Sequence, residues 1–354
     1  MDTDRIKAFA DQVFDDMAGA MTAGLAYIGV EMGLFRAMAG KGPLTAQETA
    51  DAAGLKPRHV AEWLKGMVSA GYLEYDSGAQ TYTLPAEHAF LVASEGSDHF
   101  VGGLYGMVPP MLKVAPRVAQ SFRDGGGVPF RDYGEEVVAA FDWANRGNYE
   151  HRLVDDWLSA MPDIAATLRD DGQALDVGCG AGHVSLALAK GFPESRFTGI
   201  DLDAGSVRQA ETNARERGLA ERVTFHATPV EQLDDAPGFD LITACDCIHD
   251  FADPITTLTA MRRRLKPGGA LFVVEPKVAD RLEDNCHSVA TMFYGMSVFH
   301  CMSQSLAAGG PGLGTCMGPA RTEGLLREAG FERFEQLPIK SRVSLFYRAS
   351  TQAQ

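Results

Sequence analysis

Apolar residues recur every three or four positions at Ile6, Phe9, Val13, Phe14, Met17, Met21, Leu25 and Ile28, and the run continues through "YIGVEMGLFRAMA". That period predicts two helices between Arg5 and Ala39. Their stripe is broad for a peripheral element, so packing on a second subunit and packing on the chain's own body account for it about equally well. Farther on, Thr45 and Glu48 stand at capping-box spacing ahead of a helix that Gly54 closes, and Pro57 opens another that ends near Gly71. "YLEYD" and "TYTL" flank the polar turn "SGAQ" and predict a hairpin.

Helix, helix and hairpin in that order make a winged helix-turn-helix. A DNA-reading second helix would be basic, yet Lys56, Arg58 and Lys65 share an acidic segment with Glu62, so a structural use is favoured. "VGGLYGMVPPML" reads as a loop-rich hinge. The helical stretch behind it carries Phe130, Tyr133, Phe141, Trp143, Tyr149 and Trp157. Aromatics at helical spacing are usually core; Tyr133 and Trp143 are the candidates for a substrate wall.

After Asp171 the pattern alternates regularly. Strand-like "QALDV", "RFTGID", "RVTFHA", "FDLITA" and "ALFVVE" are separated by helical runs, and "FERFEQLPI" and "VSLFYRA" follow. Such alternation predicts an α/β fold: a Rossmann-like, mostly parallel sheet with one antiparallel strand, behind an N-terminal, mostly α winged-helix domain. The expected domains are 1–96, a helical linker and substrate cap over 97–172, and 173–354. A length of 354 residues agrees with more than one domain. A net charge of −15 argues against nucleic acid as partner. Six cysteines without a regular framework point to reduced thiols and a cytoplasmic setting. The N-terminus lacks a basic start followed by an apolar core, so no secretory signal is expected. Met21 to Ala39 is interrupted by Glu31 and Arg36, so no membrane span is expected.

Chemistry concentrates in "ALDVGCGAGHVSLALAK", a buried strand that stops at glycines and restarts as a helix. Backbone N–H groups at such a turn can face a ligand, and Asp176, Gly178, Cys179, Gly180 and Gly182 are the residues of the turn. The spacing is not G-x-G-x-x-G. Asp201 ends the next strand about 20 residues on, where a carboxylate can accept both hydroxyls of a ribose. Leu202 would pack on an adenine, and Thr228 would meet its edge.

"LDVGCGAG", "GIDLD", "FDLITACDCIHDFADP", "LKPGG" and "VVEP" occur in the order seen in class I S-adenosylmethionine-dependent methyltransferases, which this chain resembles. Its N-terminal half is similar to the winged-helix dimerisation domain of small-molecule O-methyltransferases, and "YGMSVFHCMSQSLAAGGPGLGT" resembles an actinobacterial branch of that group. The resemblance implies S-adenosylmethionine as cofactor, a homodimer, and methyl transfer to a small, partly apolar acceptor, at a hydroxyl oxygen. It also implies that His249 in "CIHDFADP" is the general base, followed by Asp250 of the same element, and that Glu275 orients it. The family's second acid falls on Ala320, a departure that puts the full base arrangement in question. Cys245 and Asp246 are expected beside the donor. Met292, Met296 and His300, on a helix inserted after the fifth strand of the alternation, are expected to line the acceptor site, with His300 and His287 as secondary base candidates. The cysteines match no zinc signature and read as buried free thiols, so no metal is expected. Two other functions stand beside methyl transfer: a cofactor-binding protein of the same fold with different chemistry, and a winged-helix regulator that senses a ligand.

Overall fold

A computed structural model describes residues 1–233 and 238–351. The chain forms two compact units: Met1–Pro110 with Ala139–Asn148, and Met111–Val138 with Tyr149–Gln354. The segment 97–172, expected to be one linker and cap, is thus divided between them.

In the first unit a helix runs over Thr3–Glu31, its N-terminus capped by Asp2, whose carboxylate accepts from the N–H groups of Asp4 and Arg5. The helix buries only Ala26, Gly29 and Val30. Gly29 is a close-approach position, since a Cβ there would lie 2.5 Å from the Phe35 ring. The helix Ala46–Ala53 carries the expected capping box: Thr45 Oγ1 accepts from Glu48 N–H while the Glu48 carboxylate accepts from Thr45 N–H. Pro57–Ser69 follows with Val60, Trp63, Leu64 and Met67 buried at helical spacing. Strands β1 (Glu74–Asp76) and β2 (Thr81–Thr83) pair antiparallel as the wing. Arg58 pairs with Glu62 at 2.5 Å on the exposed face of the second helix, which cancels part of the little basic charge that helix has.

The predicted hinge is helical. Gly102–Met107 is a 3-10 turn and Val108–Lys113 an α-helix. Pro109 and Pro110 fall in the first turn of that helix, where a missing N–H costs nothing. Gly103 lets the backbone at Trp143 approach; a Cβ would meet the Trp143 carbonyl at 2.4 Å.

The second unit is built on a seven-stranded sheet in the order β5-β4-β3-β6-β7-β9-β8. Its strands are β3 (Gln173–Val177), β4 (Arg196–Asp201), β5 (Val223–Ala227), β6 (Phe239–Cys245), β7 (Leu265–Pro276), β8 (Arg333–Gln336) and β9 (Ser344–Ser350). β3 to β7 are parallel, and β9 runs antiparallel to both neighbours. The "KPGG" segment lies within the bounds of β7, where the pairing with β6 shifts register between Phe239 and Leu241. Separate apolar cores cover the two faces of the sheet, one around Leu153, Phe192 and Phe272, the other around Ile242, Leu271 and Tyr347. From β3 the strand order runs outward to β4 on one side and β6 on the other. The carboxyl ends of these strands therefore flank the crevice where α/β sheets bind ligands.

After β7 the chain forms the helix Ser288–Met296, a π turn over Ser297–Cys301 and the helix Met302–Ala307. Tyr133, fully buried, donates its hydroxyl proton to the Phe299 carbonyl at 2.6 Å. No helix among the described residues is long and apolar enough to cross a membrane.

Candidate active site

β3 ends at the crevice with Asp176 turned inward. Its carboxylate, 2% exposed, accepts from Ser185 Oγ at 2.9 Å and Thr243 Oγ1 at 2.7 Å. Burial pushes this carboxyl up to about 6 against the pull of the two hydroxyls. Ser185 comes from the helix after the glycine loop and Thr243 from β6, so Asp176 ties the loop's flanks together.

Gly178, Gly180 and Gly182 all have positive φ, at 72°, 50° and 85°. At Gly182 a Cβ would come within 2.7 Å of Phe225 and 2.9 Å of Ala210, whereas one at Gly180 would meet nothing within 4 Å. The loop's amides are engaged inside the chain. Gly178 and Cys179 N–H donate to the Ile200 carbonyl, Gly180 N–H to Asp201 Oδ2 at 2.9 Å, and Gly182 N–H to the Cys179 carbonyl. Of the expected ligand-facing donors, Gly178, Cys179 and Gly180 N–H are taken by β4, which lies alongside in parallel register, and Gly182 N–H by the Cys179 carbonyl within the loop. The glycines supply room and a bare backbone surface.

Asp201 ends β4, accepting from Gly180 N–H on one oxygen and from Asp203 N–H on the other at 2.9 Å. Each oxygen keeps a lone pair for a further donor. Desolvation raises its pKa. Asp203 caps the helix Ala204–Glu216, so Asp201 is not needed for that task. Leu202 is 76% exposed, an uncovered apolar side chain next to the carboxylate. Thr228, half-buried, follows β5.

β6 ends in Cys245, buried, and is followed by Asp246, whose φ of 53° is a left-handed conformation uncommon for non-glycine residues though better tolerated by Asp. Tyr149 donates to Asp246 Oδ2 at 3.3 Å. Burial, reinforced by the Glu275 charge, raises the Asp246 carboxyl to about 7. Cys247 leans its thiol on the Val177 carbonyl.

His249 follows in a short 3-10 turn, 3% exposed. Its Nδ1 meets Glu275 Oε2 at 2.5 Å, and Glu275 Oε1 accepts from Ile248 N–H at 3.1 Å. The second bond fixes the carboxylate, which in turn fixes the ring. Burial works against the imidazolium, but the Glu275 and Asp250 charges prevail and hold the ring well above the ordinary imidazole range. The other nitrogen, Nε2, faces Asp250 Oδ1 at 3.7 Å. His249, Glu275 and Asp250 are thus together.

Among the acceptor-site candidates, Tyr133 and His300 meet edge to face with ring centroids 4.7 Å apart. Burial lowers the His300 ring to about 4, which leaves it neutral. Met292 and Met296 are half-buried on the inserted helix. Trp143 belongs to the other unit, its ring tilted against Phe100 with centroids 6.1 Å apart and its ring N–H donated to Glu95 at 2.9 Å. His287 is exposed, and its ring caps the helix Ser288–Met296, so it is set aside as a base. Ala320 N–H donates to Asp280 Oδ1 at 2.8 Å, which gives that carboxylate a helix-capping task in the place where the resemblance expects a second acid. All six cysteines are free, and Cys286 is exposed against the expectation of burial. Tyr149 and Cys301 had no marked role in the sequence; each is brought to the strand ends by long-range packing.

Residues 168–330 match the family described as "Methyltransferase domain" and residues 19–94 the "Rv2258c-like winged HTH domain". The chain therefore carries a class I methyltransferase domain behind a winged helix-turn-helix domain. It is similar to the ubiquinone biosynthesis O-methyltransferase of Methylococcus capsulatus, 38% identical over 102 residues covering 28% of this chain and 41% of that protein. A protein of the same description from Histophilus somni is 31% identical over 145 residues, 39% of this chain and 59% of that one. The chain thus spans less than two thirds of these relatives. Human N-acetylserotonin methyltransferase, solved with SAM, superposes with a TM-score of 0.68 at 21% identity, covering 97% of this chain and 98% of that one. An O-methyltransferase family protein from Burkholderia thailandensis gives 0.67 at 15% identity, covering 100% and 99%. Both share the fold.

Proposed function

We propose that this chain is an S-adenosylmethionine-dependent methyltransferase that acts on a hydroxyl oxygen of a small, partly apolar acceptor, with His249 as general base. The observation that carries the reading is the pair His249 Nδ1 and Glu275 Oε2 at 2.5 Å, at the carboxyl ends of β6 and β7. The O-methyltransferase descriptions of the relatives agree with it.

The residues present fit the cofactor. Gly180 leaves open space where any side chain would intrude, Asp201 keeps lone pairs for two ribose hydroxyls, and Leu202 offers an uncovered apolar face for the adenine. Thr228 bounds the adenine edge, Cys179 and Cys245 wall the site, and Asp246 receives the ammonium of the methionyl end. Bound there, the cofactor supplies an electrophilic methyl group on a sulfonium.

The chain's own part is positioning and proton transfer. Glu275 stays ionised and accepts the hydrogen bond from His249 Nδ1–H; once Nε2 has given up its proton the ring takes the acceptor's hydroxyl proton there, and the Glu275 charge stabilises the imidazolium that re-forms, so turnover rises with pH until this raised ring is neutral. Such a base is worth roughly 10²- to 10⁴-fold. Tyr133, Met292, Met296 and His300 form the acceptor's apolar surroundings; the polarisable methionines suit a variable partner. Replacing His249 by Ala should lower turnover at least about tenfold with cofactor affinity nearly unchanged, measured with methyl-labelled donor and a panel of phenols. Unaltered turnover rejects the base role. We further propose a homodimer formed through the N-terminal helix.

A further inference from the structure

His249, Asp250 and Cys301 bring one nitrogen, one carboxylate oxygen and one thiol sulfur within 4.8 Å of one another. Cys301, 3% exposed, arrives on the π turn Ser297–Cys301, a geometry that recurs at functional sites. The His249 ring is already arranged as a metal ligand's would be. Its Nδ1 is committed to Glu275 at 2.5 Å, and a carboxylate behind the ring is the usual partner of a metal-bound imidazole. Nε2 then faces Asp250 Oδ1 at 3.7 Å, within the separation of about 3.3–3.8 Å for two donors bound at about 2.0–2.3 Å on a tetrahedral ion. That Asp250 oxygen is buried and makes no hydrogen bond among the described residues, its nearest cationic neighbour being the His249 ring at 3.7 Å. Once the ring has released its Nε2 proton, a neutral imidazole, one carboxylate and one thiolate balance the charge of a divalent cation. Mixed N, O and S donors favour a borderline-soft ion over magnesium or calcium.

We propose that His249 Nε2, the Asp250 carboxylate and the Cys301 thiolate form a three-ligand site for a divalent transition-metal ion of zinc-like chemistry, with one coordination position open. On binding, the sulfur–metal and nitrogen–metal bonds form as the Cys301 thiol and the His249 Nε2–H each give a proton to solvent; nothing is oxidised or reduced. Occupancy also takes the Nε2 lone pair, so a loaded site is blocked as a general base. That consequence rests on the function proposed above, whereas the binding does not.

The test titrates the chelator-stripped full-length chain with Co²⁺ alone and follows the sulfur-to-cobalt charge-transfer absorption. One equivalent should develop the band, and Zn²⁺ should displace it. C301S should abolish the band and weaken Co²⁺ binding at least about tenfold, D250N should weaken binding without removing the band, and C286S should change neither. Absence of the band at one equivalent, or a band that survives C301S, overturns the site. Should C301S fail to fold, D250N decides the matter, since unchanged Co²⁺ affinity there also overturns it. Methyl transfer by the metal-free chain is read separately. A cobalt band together with unaltered turnover in H249A would sink the base reading and leave the site standing.

Discussion

Asp246 is the residue at which backbone, burial and proposed role meet. Its left-handed φ of 53° places the carboxylate beside the Tyr149 hydroxyl, and burial with the Glu275 charge lifts its pKa to about 7. An ammonium is held by the ionised carboxylate, and below pH 7 most of that carboxylate is protonated. Cofactor affinity should therefore strengthen as pH rises from 5.5, approaching tenfold per unit on the acid side, and level off above about 7. Isothermal titration across that range measures it, and Asp246→Asn should bind more weakly with a flattened profile. A flat profile in the unaltered protein removes Asp246 from the ammonium contact. The sequence made Asp201, Asp246 and Glu275 visible because each stands at or just past the end of a strand whose pattern is local, and His249 through the "CIHDFADP" element that carries the resemblance. It could not make Tyr149 visible, because the partner of Tyr149 lies 97 residues away. Cys301 stayed hidden for the same reason: its neighbours His249 and Asp250 come from another strand end.

Among the elements, the loop between β3 and the helix His183–Gly191 was legible as a glycine turn, but its spacing does not say whether the glycines give donors or room. The neighbouring strand decides this for three of them, since Ile200 takes the Gly178 and Cys179 N–H groups and Asp201 takes that of Gly180. Two substitutions separate room for the fold from room for the ligand. Gly182→Ala combines a left-handed φ, which costs an L-residue about 1–2 kcal/mol, with contacts of 2.7 and 2.9 Å to Phe225 and Ala210. Its Tm should fall by several degrees, at about 2–4 °C per kcal/mol for a unit of this size. Gly180→Ala carries the backbone cost alone and projects its methyl into open space. It should lose less Tm but most of its cofactor affinity. Thermal melts with and without cofactor check both, and equal losses of stability would contradict the assignment of the open side. The helix Val108–Lys113 shows the opposite failure of pattern reading. Adjacent prolines suggested a break, yet the first turn of a helix is the one place that tolerates them.

At the scale of the molecule, the helix Thr3–Glu31 raises the question of what it packs against. Its 29 residues extend about 43 Å at 1.5 Å per residue, and residues 1–20 are exposed on every side. Phe9, Phe14, Met17 and Met21 are 66%, 75%, 55% and 61% exposed. The apolar period was plain in the sequence, but period alone gives a face and not the surface that covers it. A helix with no tertiary partner is marginal in water, and most helical stability in proteins comes from packing an apolar face. A monomer would leave this face wet, while a second copy meeting it through a two-fold axis would bury the same stripe on both sides. The unaltered chain should therefore sediment as a dimer at micromolar concentration, with a Tm that rises with protein concentration. The double substitution F9D/F14D should give a monomer of lower Tm whose methyltransferase unit still binds cofactor, because none of the proposed cofactor contacts lies on that helix. A monomeric unaltered chain at the same concentration, with a concentration-independent Tm, would leave the stripe without the partner argued for it.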